Sequence, residues 1–247
     1  MKINKFKKIG KNKYKIFFDN TDIVLYEDII LKYDLLLKKD IDLELLDKIT
    51  NENLYYEAYY LSLNYIEIKM RCKKEIIAYL KRKDYEDKYI DFAVEKLEKL
   101  NLLNSTMYIK AYINDKINLT LDGPYKIKRN LLELDFSEED IDNYLNTIED
   151  DVWVLKLKKI IEKKKTLMKS KSYNMFISKL KNDLYNMGYP NELICDELSK
   201  IEYKSDALTK DYAKAQKKYK TDKNKIISFL LRKGYSYDNI HEVINDK

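Results

Sequence analysis

The 247-residue chain is long enough for one large domain or several small ones. It holds four glycines and two prolines. Those shares lie far below the usual values of about 7% and 5%, which argues against a β-sandwich, a barrel or a Gly-rich nucleotide-binding fold. With 45% hydrophobic and 36% charged residues and a net charge of +6, the composition suits long amphipathic helices and opposes disorder. In chain order, Lys2-Ile3 to Ile9 reads as a first strand and Gly10-Lys11-Asn12 as a turn. Tyr14, Ile16 and Phe18 then alternate with Lys13, Lys15 and Phe17, Asp19-Asn20-Thr21-Asp22 is turn-rich, and Ile23-Val24-Leu25-Tyr26 is β-branched and aromatic. A two- or three-stranded meander follows, and so small a sheet must pack against a helix. From Glu27 the period becomes helical.

The strongest signal is an internal repeat. Ile76, Leu80, Tyr85, Ile90 and Val94 are spaced 4, 5, 5 and 4. The same spacing recurs at Ile127, Leu131, Phe136, Ile141 and Leu145, then at Leu180, Leu184, Tyr189, Ile194 and Leu198, and last at Ile226, Leu230, Tyr235, Ile240 and Ile244. Apolar residues four apart share a helix face, and the step of five to an aromatic breaks that face, so a turn falls between. Gly188 and Gly234 precede the aromatic in the last two copies, as a left-handed helix-ending residue should. Asp84 and Asp135 stand there in the first two. Each aromatic and the Ile five residues on occupy the two positions of a hydrophobic staple, and Ser137 with Asp140 forms an N-cap with an acidic third residue.

A further helical stretch precedes each pair: Leu54 to Met70, Thr106 to Asn118, Val152 to Met168 and Asp206 to Tyr219. The expected fold is mainly α, with four tandem three-helix repeats in an elongated curved stack after a small β-containing extension. The expected divisions are 1–52 for the meander with short helices, then 53–104, 105–150, 151–202 and 203–247 for the repeats.

One histidine, His241, and two cysteines, Cys72 and Cys195, cannot build a His/Cys zinc site or a C-x-x-C redox pair. No phosphate-binding glycine loop and no nucleophile elbow is present. The 42 acids show no spacing that points to a carboxylate active site. No catalytic residue, cofactor or metal is expected. No apolar run reaches the roughly 18 residues of a membrane helix, and no apolar segment follows Met1-Lys2-Ile3-Asn4-Lys5, so a cytoplasmic protein without membrane contact is expected.

Three stretches between about Asn53 and Asn146 carry a resemblance: Lys69-Met70-Arg71-Cys72-Lys73-Lys74-Glu75-Ile76 running to Leu80-Lys81-Arg82-Lys83-Asp84-Tyr85, then Leu97 to Asn104, then Asp122-Gly123-Pro124-Tyr125-Lys126-Ile127. They are similar, in that order, to the first helix-turn-helix, the connector and the start of the second repeat's middle helix in the bacterial RecX family of regulatory proteins. Cys72 stands where Ser or Thr is usual, Ser105-Thr106 replaces an acidic residue, and Ile109 replaces Ala. The meander is similar to the extension of longer family members from Gram-positive bacteria. The resemblance implies a regulator of homologous recombination and DNA repair. Such a protein binds the RecA recombinase and its nucleoprotein filament and suppresses ATP hydrolysis and strand exchange, with no catalytic residue of its own.

Charge is unevenly placed. Seven basic residues between Lys69 and Lys83 face Glu75 alone, and nine between Lys210 and Lys233 face Asp211 and Asp222. Nine acids and no base lie between Glu133 and Asp151. Such runs are either solvated helix faces or a surface with basic parts for a polyanion and an acidic part for a basic protein groove. The candidate contacts to filament or DNA are Lys69, Arg71, Lys73, Lys74, Lys81, Arg82, Lys83, Arg232 and Lys233. The expected partner is the RecA filament, with single- or double-stranded DNA as a second, and the chain is expected to act as a monomer. The alternative is a helical-repeat DNA- or RNA-binding protein that acts independently of RecA.

Overall fold

A computed structural model describes residues 1–168, 171–202 and 206–245, and the chain divides into two compact units, 1–108 and 109–247. The fold is mainly α, with thirteen helices and one three-stranded sheet among the described residues. In the first unit, β1 (Ile3–Gly10), β2 (Lys13–Phe18) and β3 (Asp22–Tyr26) form the expected antiparallel meander. Alternation puts Ile16, Phe18 and Leu25 on the covered face. There they join Ile29 and Ile30 of α1 (Glu27–Lys32) and Ile49 of α2 (Leu43–Ile68). The sheet's last strand is also tied laterally. Buried Asn53 on α2 accepts from the Tyr26 N–H at 2.9 Å and donates to the Val24 carbonyl at 3.3 Å, the kind of cover that edge strands require.

Helix α2 departs from expectation. It begins at Leu43 rather than Leu54 and ends at Ile68 rather than Met70, so it runs through the expected division between 52 and 53. The reason is Asp42, whose carboxylate accepts from the Leu45 N–H at 2.7 Å and caps the helix early. The first half of α2 covers the sheet. Its second half packs with α3 (Lys73–Lys81) and α4 (Asp87–Lys99) around Ala58, Tyr59, Ile76, Leu80, Ile90, Val94 and Leu97. Asp28 joins the two halves. It accepts from the Tyr60 hydroxyl at 2.6 Å and pairs at 3.2 Å with Lys96, whose ammonium lies 4.3 Å from the Tyr59 ring centre. Tyr26 stacks on Tyr60 at 4.7 Å, and burial, with the Glu57 charge adding to it, pushes the Tyr26 pKa up to about 12.

Helix α5 (Ser105–Leu119) leads into the second unit. There α6 (Pro124–Leu132) pairs with α7 (Glu138–Leu145), and α8 (Asp150–Leu167) precedes α9 (Tyr173–Asn186) and α10 (Asn191–Ser199). Helix α11 (Ala207–Tyr219) precedes α12 (Lys223–Arg232) and α13 (Tyr237–Asn245). The expected start of the fourth repeat, at 203, lies outside the described residues.

All four predicted turns close in the same way. Asp84, Asp135, Gly188 and Gly234 have φ of 62°, 65°, 85° and 78°. The N–H of each donates to the carbonyl three residues back. The following aromatic donates to Leu80, Leu131, Leu184 or Leu230, at 3.3 Å in every copy. These are the paired bonds of a Schellman ending, which satisfy carbonyls that the helix leaves open. Ile90, Ile141, Ile194 and Ile240, the staple partners, are all buried. Tyr189 and Tyr235 are buried, and Tyr85 and Phe136 are half-buried.

The glycines have a second role. Within the second unit, the start of one copy's middle helix docks on the next copy's turn. Gly123 donates to the Met187 carbonyl at 2.7 Å and Tyr125 to the Gly188 carbonyl at 3.0 Å, while the Tyr189 hydroxyl donates to the Leu121 carbonyl at 3.0 Å. A Cβ on Gly188 would lie 2.3 Å from the Lys126 nitrogen. One copy later, the Ser172 hydroxyl donates to the Lys233 carbonyl at 2.7 Å, and a Cβ on Gly234 would meet Met175 Cγ at 2.9 Å. Glycine stands at these turns because the preceding copy occupies the space, with backbone at Gly188 and the Met175 and Ser172 side chains at Gly234, as well as for its left-handed φ.

Candidate functional site

The first basic cluster splits when it folds. Lys69 ends α2, and Lys73 and Lys74 open α3, whereas Lys81, Arg82 and Lys83 close it. A nine-residue helix separates the two groups, a rise of about 13 Å. Arg71 lies between α2 and α3 and is turned inward. Its guanidinium sits 4.0 Å from the Tyr65 ring centre and donates to Glu75 at 3.1 Å, and Tyr65 stacks on Tyr79 at 4.2 Å.

Glu75 holds this corner. It accepts from the Cys72 N–H at 3.0 Å, so the acidic half of a capping box forms although Cys72 replaces the usual hydroxyl residue, and from the Tyr108 hydroxyl at 3.1 Å. Burial would raise the Glu75 pKa, but the hydrogen bonds from Cys72, Arg71 and Tyr108 outweigh it and hold the carboxyl below its usual range. Arg71 is therefore a structural residue of the corner, with 18% of its side chain exposed.

Other members of the cluster face solvent. Lys73 pairs with Glu98 at 3.0 Å and Lys81 with Asp87 at 3.3 Å, both on exposed side chains where such pairs contribute little. Lys83 lies 5.8 Å from the Tyr79 ring centre, and Arg82 Nε donates to the Ala78 carbonyl at 3.3 Å. Lys69, Lys74, Arg82 and Lys83 are exposed.

The second cluster is arranged differently from expectation. Half-buried Lys233 joins a network around buried Asp211, which accepts from Lys233 at 2.7 Å and from the Tyr235 hydroxyl at 3.0 Å. Burial opposes ionisation of Asp211, yet Lys233 and Tyr235 outweigh it and keep its pKa below the usual carboxylate range. Arg232 stays exposed and donates from Nε to the Ser228 carbonyl at 3.2 Å. Several cations project from α11, its connector and α12, among them Lys217, Lys218, Lys220 and Lys223. All four are exposed and form no ion pair among the described residues. Their run is legible in the sequence, and their outward aim follows from the polar spacing of α11, which buries Asp211, Tyr212 and Ala215.

The acidic section is partly local. Glu138, Glu139 and Asp140 fill the first turn of α7, and Asp150 and Asp151 that of α8, where the helix dipole favours negative charge. Lys128 sits between Glu138 and Asp142, at 2.7 Å from each. Among the described residues, no group of three or more His, Cys, Asp or Glu side chains could hold a metal ion, and no helix is long and apolar enough to cross a membrane.

Tandem three-helix units define a helical-repeat protein. Residues 58–97 match the family model described as the first three-helix domain of RecX, and residues 203–244 match that of the third, here the fourth copy in the chain. The chain is 30% identical to the regulatory protein RecX of Halalkalibacterium halodurans, across 83% of this chain and 82% of that one. It is 28% identical to the RecX of Streptococcus agalactiae serotype III, across 100% and 99%. A crystal structure of regulatory protein RecX shares the fold at 23% identity, with a TM-score of 0.66 over 78% of this chain and 96% of that one. The RecX structure from Lactobacillus salivarius matches at 27% identity and a TM-score of 0.54, over 61% and 99%. The chain belongs to the RecX family.

Proposed function

We propose that this protein binds the RecA recombinase filament and inhibits its ATPase and strand-exchange activities. The observation that carries this reading is membership of a family named as regulatory proteins, along the whole length of a relative. The distribution of charge supports it. Exposed lysines at the ends of α3 and along α11 and α12 suit phosphates, whereas the 133–151 section suits a basic protein surface. A filament groove offers both. Several weak contacts to successive protomers add through effective concentration, so tight binding needs no deep single site. Regulation by occupancy requires no chemistry from the chain itself.

The test is RecA ATP hydrolysis on single-stranded DNA, with strand exchange measured in parallel. Both are expected to fall as the protein is added, at or below one copy per RecA protomer. Unchanged rates at saturating protein would refute the reading. The second reading, nucleic-acid binding independent of RecA, draws on Lys217, Lys218, Lys220 and Lys223. It predicts a salt-dependent affinity for DNA alone that equals the affinity for the filament.

A further inference from the structure

The second unit carries a cleft of about 630 Å³ between α6, α7, the start of α8 and the start of α10. One part of its wall is apolar, formed by Leu132, Ile148, Leu193 and the buried ring of Trp153, with charged side chains making up much of the rest, and Tyr125 stands beside it with 61% of its surface exposed. A concave apolar wall with an aromatic side is the surface into which a bulky anchor residue of a protein partner fits.

The charges around it select the partner's sign. Lys128 is already neutralised by Glu138 and Asp142, and Arg129 is the other cation of the lining. Asp150 and Glu192, also in the lining, are exposed and pair with no cation among the described residues, and Glu149 and Asp151 flank Asp150 in the chain. The resulting field repels phosphates and attracts lysine and arginine. We propose that this cleft docks a basic segment of a protein partner, with one bulky apolar side chain against Trp153 and flanking basic residues at Asp150 and Glu192. Under the reading above, that segment belongs to RecA, and the cleft is the acidic section's anchoring point.

Trp153 is the chain's only tryptophan, so its fluorescence reports occupancy directly. The full chain is titrated with a synthetic peptide of lysines and arginines around one phenylalanine. A saturable change is expected, weakened tenfold or more by alanine in place of the phenylalanine. The double variant Asp150→Lys/Glu192→Lys and, separately, Tyr125→Ala should weaken it similarly while remaining folded, the double variant with a slightly lowered melting temperature because both acids sit in first helical turns. No saturable change, the same affinity in both variants, or a Trp153 response to single-stranded DNA in place of the peptide would overturn the proposal.

Filament binding separates the two readings. If unaltered protein and variants bind RecA filaments equally, the cleft proposal fails and RecA binding stands. If the peptide response holds but filaments are not bound, the cleft stands for another basic protein and the RecA reading fails.

Discussion

The turn of the first repeat and the turn of the third have the same backbone and opposite surroundings. At Asp84 the left-handed residue is exposed and follows Lys81, Arg82 and Lys83. At Gly188 it is buried, and the start of α6 leaves no room for a Cβ. One turn design therefore serves two ends. Where a neighbouring copy docks, the turn must be glycine and contributes to stability. Where it meets solvent, aspartate suffices and the adjoining cations stay exposed.

The strongest way to break this comparison is Gly188→Ala. The left-handed conformation costs a residue with a Cβ about 1–2 kcal/mol, and the collision with Lys126 adds overpacking strain of about 1–3 kcal/mol. Thermal or denaturant melting should show a loss of about 2–5 kcal/mol. Gly234→Ala should lose less, because Met175 is a flexible side chain that can move aside. Equal losses would show that only φ matters.

Next in size is the Asp211 network that pins the fourth turn. Its carboxyl has a depressed pKa in the folded state, so its contribution is present above the unfolded value near 3.9 and is lost as pH falls through the lower folded value. Asp211→Asn should cost about 1–3 kcal/mol at neutral pH and flatten the decline of stability below about pH 4. An acid limb identical to that of the unaltered protein would contradict this.

At the exposed turn, the triple change Lys81→Glu, Arg82→Glu and Lys83→Glu should leave the protein folded with a modest loss of melting temperature. It should weaken filament binding tenfold or more at physiological salt, and the slope of log affinity against log salt should flatten by about two to three. Normal melting with unchanged salt dependence would remove this turn from the interface. The smallest effect is expected of Asp84→Gly. Relief of the left-handed strain and the added chain entropy of glycine oppose each other, leaving stability within about 1 kcal/mol.

Much of this was legible in the residues. The 4, 5, 5, 4 spacing located four helix endings, their staples and their left-handed residues, because each of those features is local, set by side chains within ten positions of one another. The meander was legible for the same reason. What could not be read depends on distant partners. Gly123 and Gly188 meet across 65 positions, so the steric demand on Gly188 has no local signature. Arg71 reads as one basic residue among seven until Tyr65 and Glu75 are seen to enclose it. Lys233 reads as part of a run until Asp211 draws it inward. A charge count cannot distinguish cations engaged within the fold from those left for a partner.

The central claim is that the exposed charges serve a protein–DNA filament rather than DNA alone. Its most direct measurement is the affinity of the intact chain for RecA assembled on single-stranded DNA and for the same DNA without RecA, at physiological salt. The account predicts binding to the filament at least tenfold tighter, about 1.4 kcal/mol or more. Equal affinity for the two would contradict it.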